Sequence, residues 1–333
     1  MAKYDVVSVG GATLDIAFLS TAGRVINNKQ NLLASRLLAF EYGAKMEVEK
    51  FYQTYGGGAA NAAVNLAGLG LKVSALICVG QDDNGHKIAA NFRQHKVKID
   101  LLQSSSQEDT SFSFIIINRH SRERVIFSYR GANHALRLRQ ADWKALNSSR
   151  YIYVSSLSGE NWQDNLKVIF STRQPKIVWN PGEVQLHLGA DKLKPFLKNT
   201  YLFCLNRDEA MELVKSSRKY QRARKSFMNN VHNLLVAIKS FGPELVLITD
   251  GTAGAYAFDG KKYYHQPIIK TQKRLDSTGV GDAFNSTVIF GLDKYQDLAK
   301  AMKLGVYNTA SLVSEIGAQN GLLEAKDLKK IKI

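Results

Sequence analysis

Residues Leu275–Leu292, LDSTGVGDAFNSTVIFGL, set two glycines and an acid ahead of an apolar repeat. From Ala283 onward Phe284, Val288, Ile289 and Leu292 recur at helical spacing, while Gly279 and Gly281 just before them signal a turn. The spacing predicts a helix that starts at or near Asp282. A helix start has backbone N–H groups without internal partners and the positive end of the helix dipole, so small residues leading into it can wrap an anion. Asp282 then lies beside that anion. A carboxylate there repels a phosphate, but it is well placed to take a proton from a hydroxyl that attacks phosphorus. The same residues also suit an Asp capping a helix whose turn is made by glycines, and this stretch leaves both readings open.

Asp276-Ser277-Thr278-Gly279-Val280-Gly281-Asp282 resembles the C-terminal signature of the ribokinase-like carbohydrate kinases (the PfkB family), Asp-Thr-x-Gly-Ala-Gly-Asp, and departs from it at Ser277 and Val280. Companion motifs follow the family's order. Gly56-Gly57-Gly58-Ala59-Ala60-Asn61, running into an alanine-rich helix, resembles the N-terminal signature Gly-Gly-x-x-x-Asn. Gly80–Gly85 resembles Gly-x-Asp-x-x-Gly, a structural element. Asn206-x-x-Glu209 puts two polar side chains on one face of a first helical turn, which capping explains by itself. Thr249-Asp250-Gly251-Thr252-Ala253-Gly254 resembles Thr-x-Gly-x-x-Gly, and Gly317-Ala318-Gln319 resembles a loop that ribokinases use around a monovalent cation.

The resemblance implies a role for each position. Asp282 is the base, and the N–H groups of Gly279, Val280, Gly281 and Asp282 cradle phosphate. Asp15, shortly after the first strand, binds substrate hydroxyls together with Gly57 and Asn61. Asn206, Glu209, Thr249 and Gly251 serve ATP, with Glu209 holding Mg2+ through water. Asp276 and the Gly317–Gln319 loop hold a monovalent cation, K+. Two departures from ribokinase proper bear on the substrate: Gly58 stands where ribokinases carry Lys, and Ser155-Ser156 stands where they place a Glu.

The 333 residues, 45% of them apolar, suffice to bury a full core. Cys78 and Cys204 lie in apolar runs, and the N-terminus enters a strand with no signal-like apolar segment; both favour a cytoplasmic setting. No run approaches the roughly 20 apolar residues of a membrane helix. The net charge of +16 attracts polyanions, nucleotides among them. It is concentrated in Arg119–Arg130, Lys215–Lys225 and Lys326–Lys332, and no zinc-finger or RNA-recognition spacing accompanies it, so the runs read as solvated surface rather than a nucleic-acid site.

Strands and helices alternate along the whole chain, which predicts an α/β fold of one domain, residues 1–333. The expected form is a ribokinase-like three-layer αβα sandwich with a mostly parallel central sheet and its site beyond the carboxyl ends of the strands. Half-exposed strands at Lys45–Tyr52, Ser111–Ile117 and Arg124–Tyr129 predict a small antiparallel sheet. In the resembled family such a sheet is a lid, here about residues 13–55 and 108–130. Its aromatics, Phe18, Phe51, Phe114 and Tyr129 among them, suit a substrate, lid packing or a homodimer face. The chain lacks the pattern G-x-x-x-x-G-K-[ST], so a P-loop is excluded. The expected activity is ATP-dependent phosphorylation of a sugar hydroxyl. The alternatives are a nucleoside kinase of the same family and a catalytically silent regulatory or nucleic-acid-binding protein.

Overall fold

Short runs rich in Val, Ile, Leu and aromatic residues, each closed by Gly, Asn or Ser, predict buried parallel strands. In the computed structural model, which describes residues 3–27, 36–118 and 124–333, they assemble into an 8-stranded sheet. Its spatial order is Tyr263–Gln266, Ala255–Phe258, Leu245–Thr249, Leu202–Asn206, Lys176–Trp179, Tyr151–Val154, Val6–Val9 and Val73–Leu76. The strands from Leu245–Thr249 to Val73–Leu76 run parallel, and a hairpin adds two antiparallel strands at one edge. Successive side chains of a strand point to opposite faces. Tyr151 and Tyr153 accordingly join a core with residues of the Gly58–Gly68, Val280–Tyr295 and Leu298–Leu312 helices. Ile152 and Val154 join a second core with the Trp162–Phe170, Ala190–Leu197, Arg207–Ser216 and Val231–Lys239 helices. This is the three-layer αβα arrangement that the alternation predicts.

A second sheet stands apart, in the order Arg124–Tyr129, Phe112–Asn118, Thr13–Ser20, Lys50–Gly56. It is mixed rather than antiparallel, because Thr13–Ser20 and Phe112–Asn118 pair in parallel. The Lys45–Tyr52 strand is displaced: the strand is Lys50–Gly56, paired from Lys50↔Leu19 to Gly56↔Thr13. The alternating Met46 and Val48 precede it outside any strand and are exposed. One row across this sheet carries Asp15, Ser113 and Ser128. The neighbouring rows put Phe18, Phe114 and Phe127 on the opposite face, where Phe18 and Phe114 stack with centroids 6.1 Å apart. Residues 28–35 and 119–123, which belong to the expected lid and to the Arg119–Arg130 basic run, lie outside the described residues.

Two local expectations change. The apolar run Leu71–Gly80 reads as a single strand, but it is divided: Val73–Leu76 belongs to the main sheet, whereas Cys78–Gly80 pairs with Gln103–Ser105. Asp259-Gly260 reads as a two-residue hairpin turn, but the loop is residues 259–262, because Phe258 pairs with Tyr263 and Asp259 Oδ1 accepts from the N–H of Lys261 and Lys262, both at 2.7 Å. Cys78 and Cys204 are free and buried. Lys215, Arg218, Lys219, Arg222, Arg224 and Lys225 are exposed, as a solvated run should be. Among the described residues no helix is long and apolar enough to cross a membrane.

The alanines of GAANAAVNLAG let the Gly58–Gly68 helix come close to the Val280–Tyr295 helix. A buried polar cluster then joins the two. Asn65 Nδ2 lies 2.7 Å from Ser286 Oγ and 2.9 Å from Thr287 Oγ1. Asn308 of the Leu298–Leu312 helix donates to Asn65 Oδ1 at 2.7 Å and accepts from the Leu323 N–H at 2.8 Å. Replacing one member strands the others without water, at about 1–3 kcal/mol. Asn65→Leu, nearly isosteric, is therefore expected to lower stability by that amount, read as a lower urea midpoint. A midpoint equal to the parent's would show that the cluster does not hold these helices together.

Candidate active site

The Val280–Tyr295 helix begins from Gly279, whose φ of 73° and ψ of 4° are left-handed. A β-carbon at Gly279 would stand 2.5 Å from Ala318 Cβ, so both conformation and space call for glycine. The N–H groups of Val280, Gly281 and Asp282 find no acceptor among the described residues. Gly281 is exposed, and a β-carbon there would meet nothing within 4 Å. The protein itself does not require glycine at this position; an approaching ligand would.

Asp282 sits in the first turn, and no side chain caps this helix. Its carboxylate is held from the side instead, where Asn61 Nδ2 donates to Asp282 Oδ2 at 2.8 Å. Gln319 Nε2 donates to Asn61 Oδ1 at 3.1 Å, and Asn91 Nδ2 donates to Gln319 Oε1 at 2.8 Å. Since an ionised carboxylate only accepts, it fixes the orientation of Asn61, which fixes Gln319, which fixes Asn91. All three amides are buried. Burial pushes the Asp282 carboxyl above the usual carboxylate range, and the Asn61 hydrogen bond opposes that rise.

Two cavities with no lining residue in common lie near Asp282. One, of about 150 Å³, is bounded by the turns Gly10-Gly11 and Gly57-Gly58, by Ser156–Ser158 after the Tyr151–Val154 strand, and by Ser128, Arg130 and Asn133. A β-carbon on Gly58 would stand 3.2 Å from Asp282 Oδ1, so a residue that lines this cavity is the neighbour of the carboxylate. The other, of about 340 Å³, is lined by Gly251, Thr252, Lys270, Arg274 and Val280 and floored by Ile268, Ile269, Ala310 and Val313.

The remaining predicted residues fall as follows. Gly57, with φ of 90°, borders the smaller cavity and is the N-cap of its helix. Asp15 is a strand residue rather than a loop residue, because Thr13–Ser20 is paired on both sides. It is buried and accepts from Thr13 Oγ1 at 3.0 Å; burial raises its pKa, hydrogen bonds from Thr13 and Ser113 resist, and the charge of Asp276 adds to the rise. Asn206 and Glu209 form a reciprocal cap: Asn206 Oδ1 accepts from the Glu209 N–H at 2.9 Å and Glu209 Oε2 from the Asn206 N–H at 2.8 Å. Burial, and lesser contributions that include the Asp282 charge, raise the Glu209 pKa. Thr249 closes its strand one residue before Asp250, which is paired with Arg207 at 2.8 Å. Asp276 accepts from the Thr278 N–H at 2.9 Å and the Gly317 N–H at 3.0 Å, which brings the two expected cation loops together.

Sequence reasoning missed Arg130 and Asn133 in the smaller cavity, Lys270 and Arg274 in the larger, and Asn91 at the end of the amide chain. Arg130 was visible only as one more charge in a basic run. Asn91 had no signal at all, since its partner is 228 residues away.

The pattern of the pfkB family carbohydrate kinases matches residues 23–326. The chain belongs to this family. An ATP-dependent 6-phosphofructokinase from Thermoanaerobacterium thermosaccharolyticum is 22% identical over 99% of this chain and 93% of its own length. A nucleoside kinase from Methanocaldococcus jannaschii is 22% identical over 85% and 86%. The structure of Arabidopsis thaliana ribokinase complexed with ribose and ATP superposes with a TM-score of 0.79 at 18% identity, covering 99% of this chain and 98% of that one. Sugar phosphate, nucleoside and free sugar are thus all represented among relatives of this pfkB family chain.

The amide chain predicts how Asp282 titrates. Asn61→Leu removes the donor that holds the carboxyl down while leaving its burial, so the pKa should rise above the parent's. A pH titration of the Asp282 carboxyl carbon by NMR reads this directly, and an unmoved midpoint would deny Asn61 its hold on the carboxylate.

Proposed function

We propose that this carbohydrate kinase transfers the γ-phosphoryl group of ATP to a hydroxyl, a primary one by preference, of a sugar or sugar derivative. The observation that carries the reading is the place of Asp282, beside the smaller cavity at Gly58 and two residues after Val280 of the larger. The acceptor occupies the first cavity and the nucleotide the second. Asp282 takes the proton of the acceptor hydroxyl as its oxygen bonds to the γ-phosphorus, and the bond from phosphorus to the bridging oxygen breaks to release ADP. The free N–H groups of Val280, Gly281 and Asp282, at the positive end of the helix, receive the charge on the transferred group. Asp15, on the row that also carries Ser128 of the acceptor cavity, is assigned to acceptor hydroxyls.

Among the described residues no group of three His, Cys, Asp or Glu side chains is suited to a metal. That fits Mg2+, which is commonly held by one or two carboxylates with phosphates and water rather than by a protein cage. Glu209 is the residue we assign to it: one carboxylate oxygen is engaged in the cap, and burial, with smaller contributions from the charges of Glu212, Asp208 and Asp282, raises its pKa. The ion would neutralise phosphate charge. A nucleoside is the alternative acceptor, but among the described residues the lining of the smaller cavity offers no aromatic ring on which a base could stack, which favours a sugar.

Asp282→Asn keeps shape and loses basicity. Turnover should fall about 10²- to 10⁴-fold, with folding intact and nucleotide affinity level or higher, because a negative charge beside the phosphate is gone. Near-normal turnover with a lowered melting temperature would make the carboxylate structural. The metal assignment has its own check. Glu209→Gln should raise the Mg2+ concentration needed for half-maximal rate while leaving acceptor KM nearly unchanged, and an unaltered Mg2+ dependence would return Glu209 to helix capping alone.

A further inference from the structure

The smaller cavity is lined by glycines, by Leu136 and Leu157, by Ser128, Ser156 and Ser158, by Asn133 and by Arg130. Arg130 alone among these carries a formal charge. No carboxylate lies within ion-pair distance of its guanidinium, and no side-chain hydrogen bond engages it among the described residues. The Arg130 side chain is exposed, whereas Arg150 is held by Asp5 and Asp293 and Arg207 by Asp250.

The main chain that carries Arg130 is pinned. Its carbonyl accepts from Ser111 Oγ, and from the Asn133 N–H at 3.0 Å. Asn133 in turn accepts from the Ala12 N–H at 3.1 Å through Oδ1, tying this segment to the turn after the first strand of the main sheet. A pinned backbone holds the start of a long side chain at the rim of the cavity. The end of the Tyr151–Val154 strand adds Ser156, an uncharged hydroxyl. Gly58 also lines the cavity, and a β-carbon on it would stand 3.2 Å from Asp282 Oδ1.

We propose that the acceptor is an anionic sugar, one that carries a phosphate or a carboxylate, and that Arg130 with the hydroxyls of Ser128, Ser156 and Ser158 binds its charged group. The inference rests on the smaller cavity being the acceptor's. A neutral monosaccharide would leave the guanidinium without a counter-charge, whereas an oxyanion gives it a charge-assisted and bidentate partner. The anionic group lies at the Arg130 end and the reacting hydroxyl at the Asp282 end, so the charged substituent and the new phosphate are borne by different carbons.

The test uses matched pairs: fructose with fructose 6-phosphate, and glucose with gluconate. Binding is measured by calorimetry without nucleotide and turnover with ATP and Mg2+, for the parent, Arg130→Gln and Arg130→Lys. The parent should prefer the charged member of at least one pair, and the pair with the larger preference identifies phosphate or carboxylate. Arg130→Gln should reduce that preference about 10- to 100-fold, the worth of a hydrogen-bonded charge, and Arg130→Lys should restore part of it. A preference for the neutral members, or a preference for charge untouched by Arg130→Gln, overturns the subsite even if phosphate is transferred. Arg130-dependent binding of a charged member with no phosphotransfer to any acceptor leaves the subsite standing and removes the kinase reading.

Discussion

Two helices that begin far apart in the chain are locked together at the same four-residue step. Asn61 meets Asp282 on the first turn, and Asn65 meets Ser286 on the next. Because i and i+4 share a helix face, the buried contact one turn deeper sets the rotation at which the two helix starts face each other. The alanines around Asn61 and Asn65 allow the approach, and Asn308 fills the remaining valence from a third helix. The geometry of the carboxylate is thus inherited from core packing. Its local sequence supplies the acid and the free N–H groups but not its aim.

Around that contact the electrostatics run against ionisation. Burial raises the pKa of Asp282, Asp15 and Glu209, and the charge of Asp276 adds to the rise at Asp15, as that of Asp282 does at Glu209. A raised carboxyl pKa means a more basic carboxylate, which is useful where a proton must be taken from an alcohol. Hydrogen bonds from Asn61 and from Thr13 oppose the rise at Asp282 and Asp15.

The second sheet follows from the route of the chain. Thr13–Ser20 leaves the main body after the first strand, and Phe112–Asn118 leaves beside it, since the Leu14 N–H bonds to the Ser111 carbonyl at 3.0 Å. Two outgoing strands side by side are parallel, and their return strands, Lys50–Gly56 and Arg124–Tyr129, flank them. The return strand at one edge delivers Ser128, and Arg130 just after it, to the cavity.

Much of this was legible before any coordinates. Apolar runs ending in Gly, Asn or Ser mark the main strands because a buried parallel strand must be apolar on both faces. The start of the Val280–Tyr295 helix was legible because glycine before an apolar periodic run is a local signal. Asp282 and Gly57 followed from those positions. Local pattern was weakest where pairing decides the outcome. It misplaced the strand at Lys45–Tyr52, since alternation does not say which residues find a partner, and it joined Val73–Leu76 to Cys78–Gly80 because an apolar run does not show where a strand changes sheets. What only the tertiary structure decided is what depends on residues meeting across long separations: the file from Asn91 through Gln319 and Asn61 to Asp282, the parallel pair in the second sheet, and the place of Arg130 in the lining of a cavity, with no acid paired to it among the described residues. Sequence fixes which groups are available and which local backbone they sit on, whereas packing fixes which of them face one another, and a charge is read as surface until the fold shows what it faces.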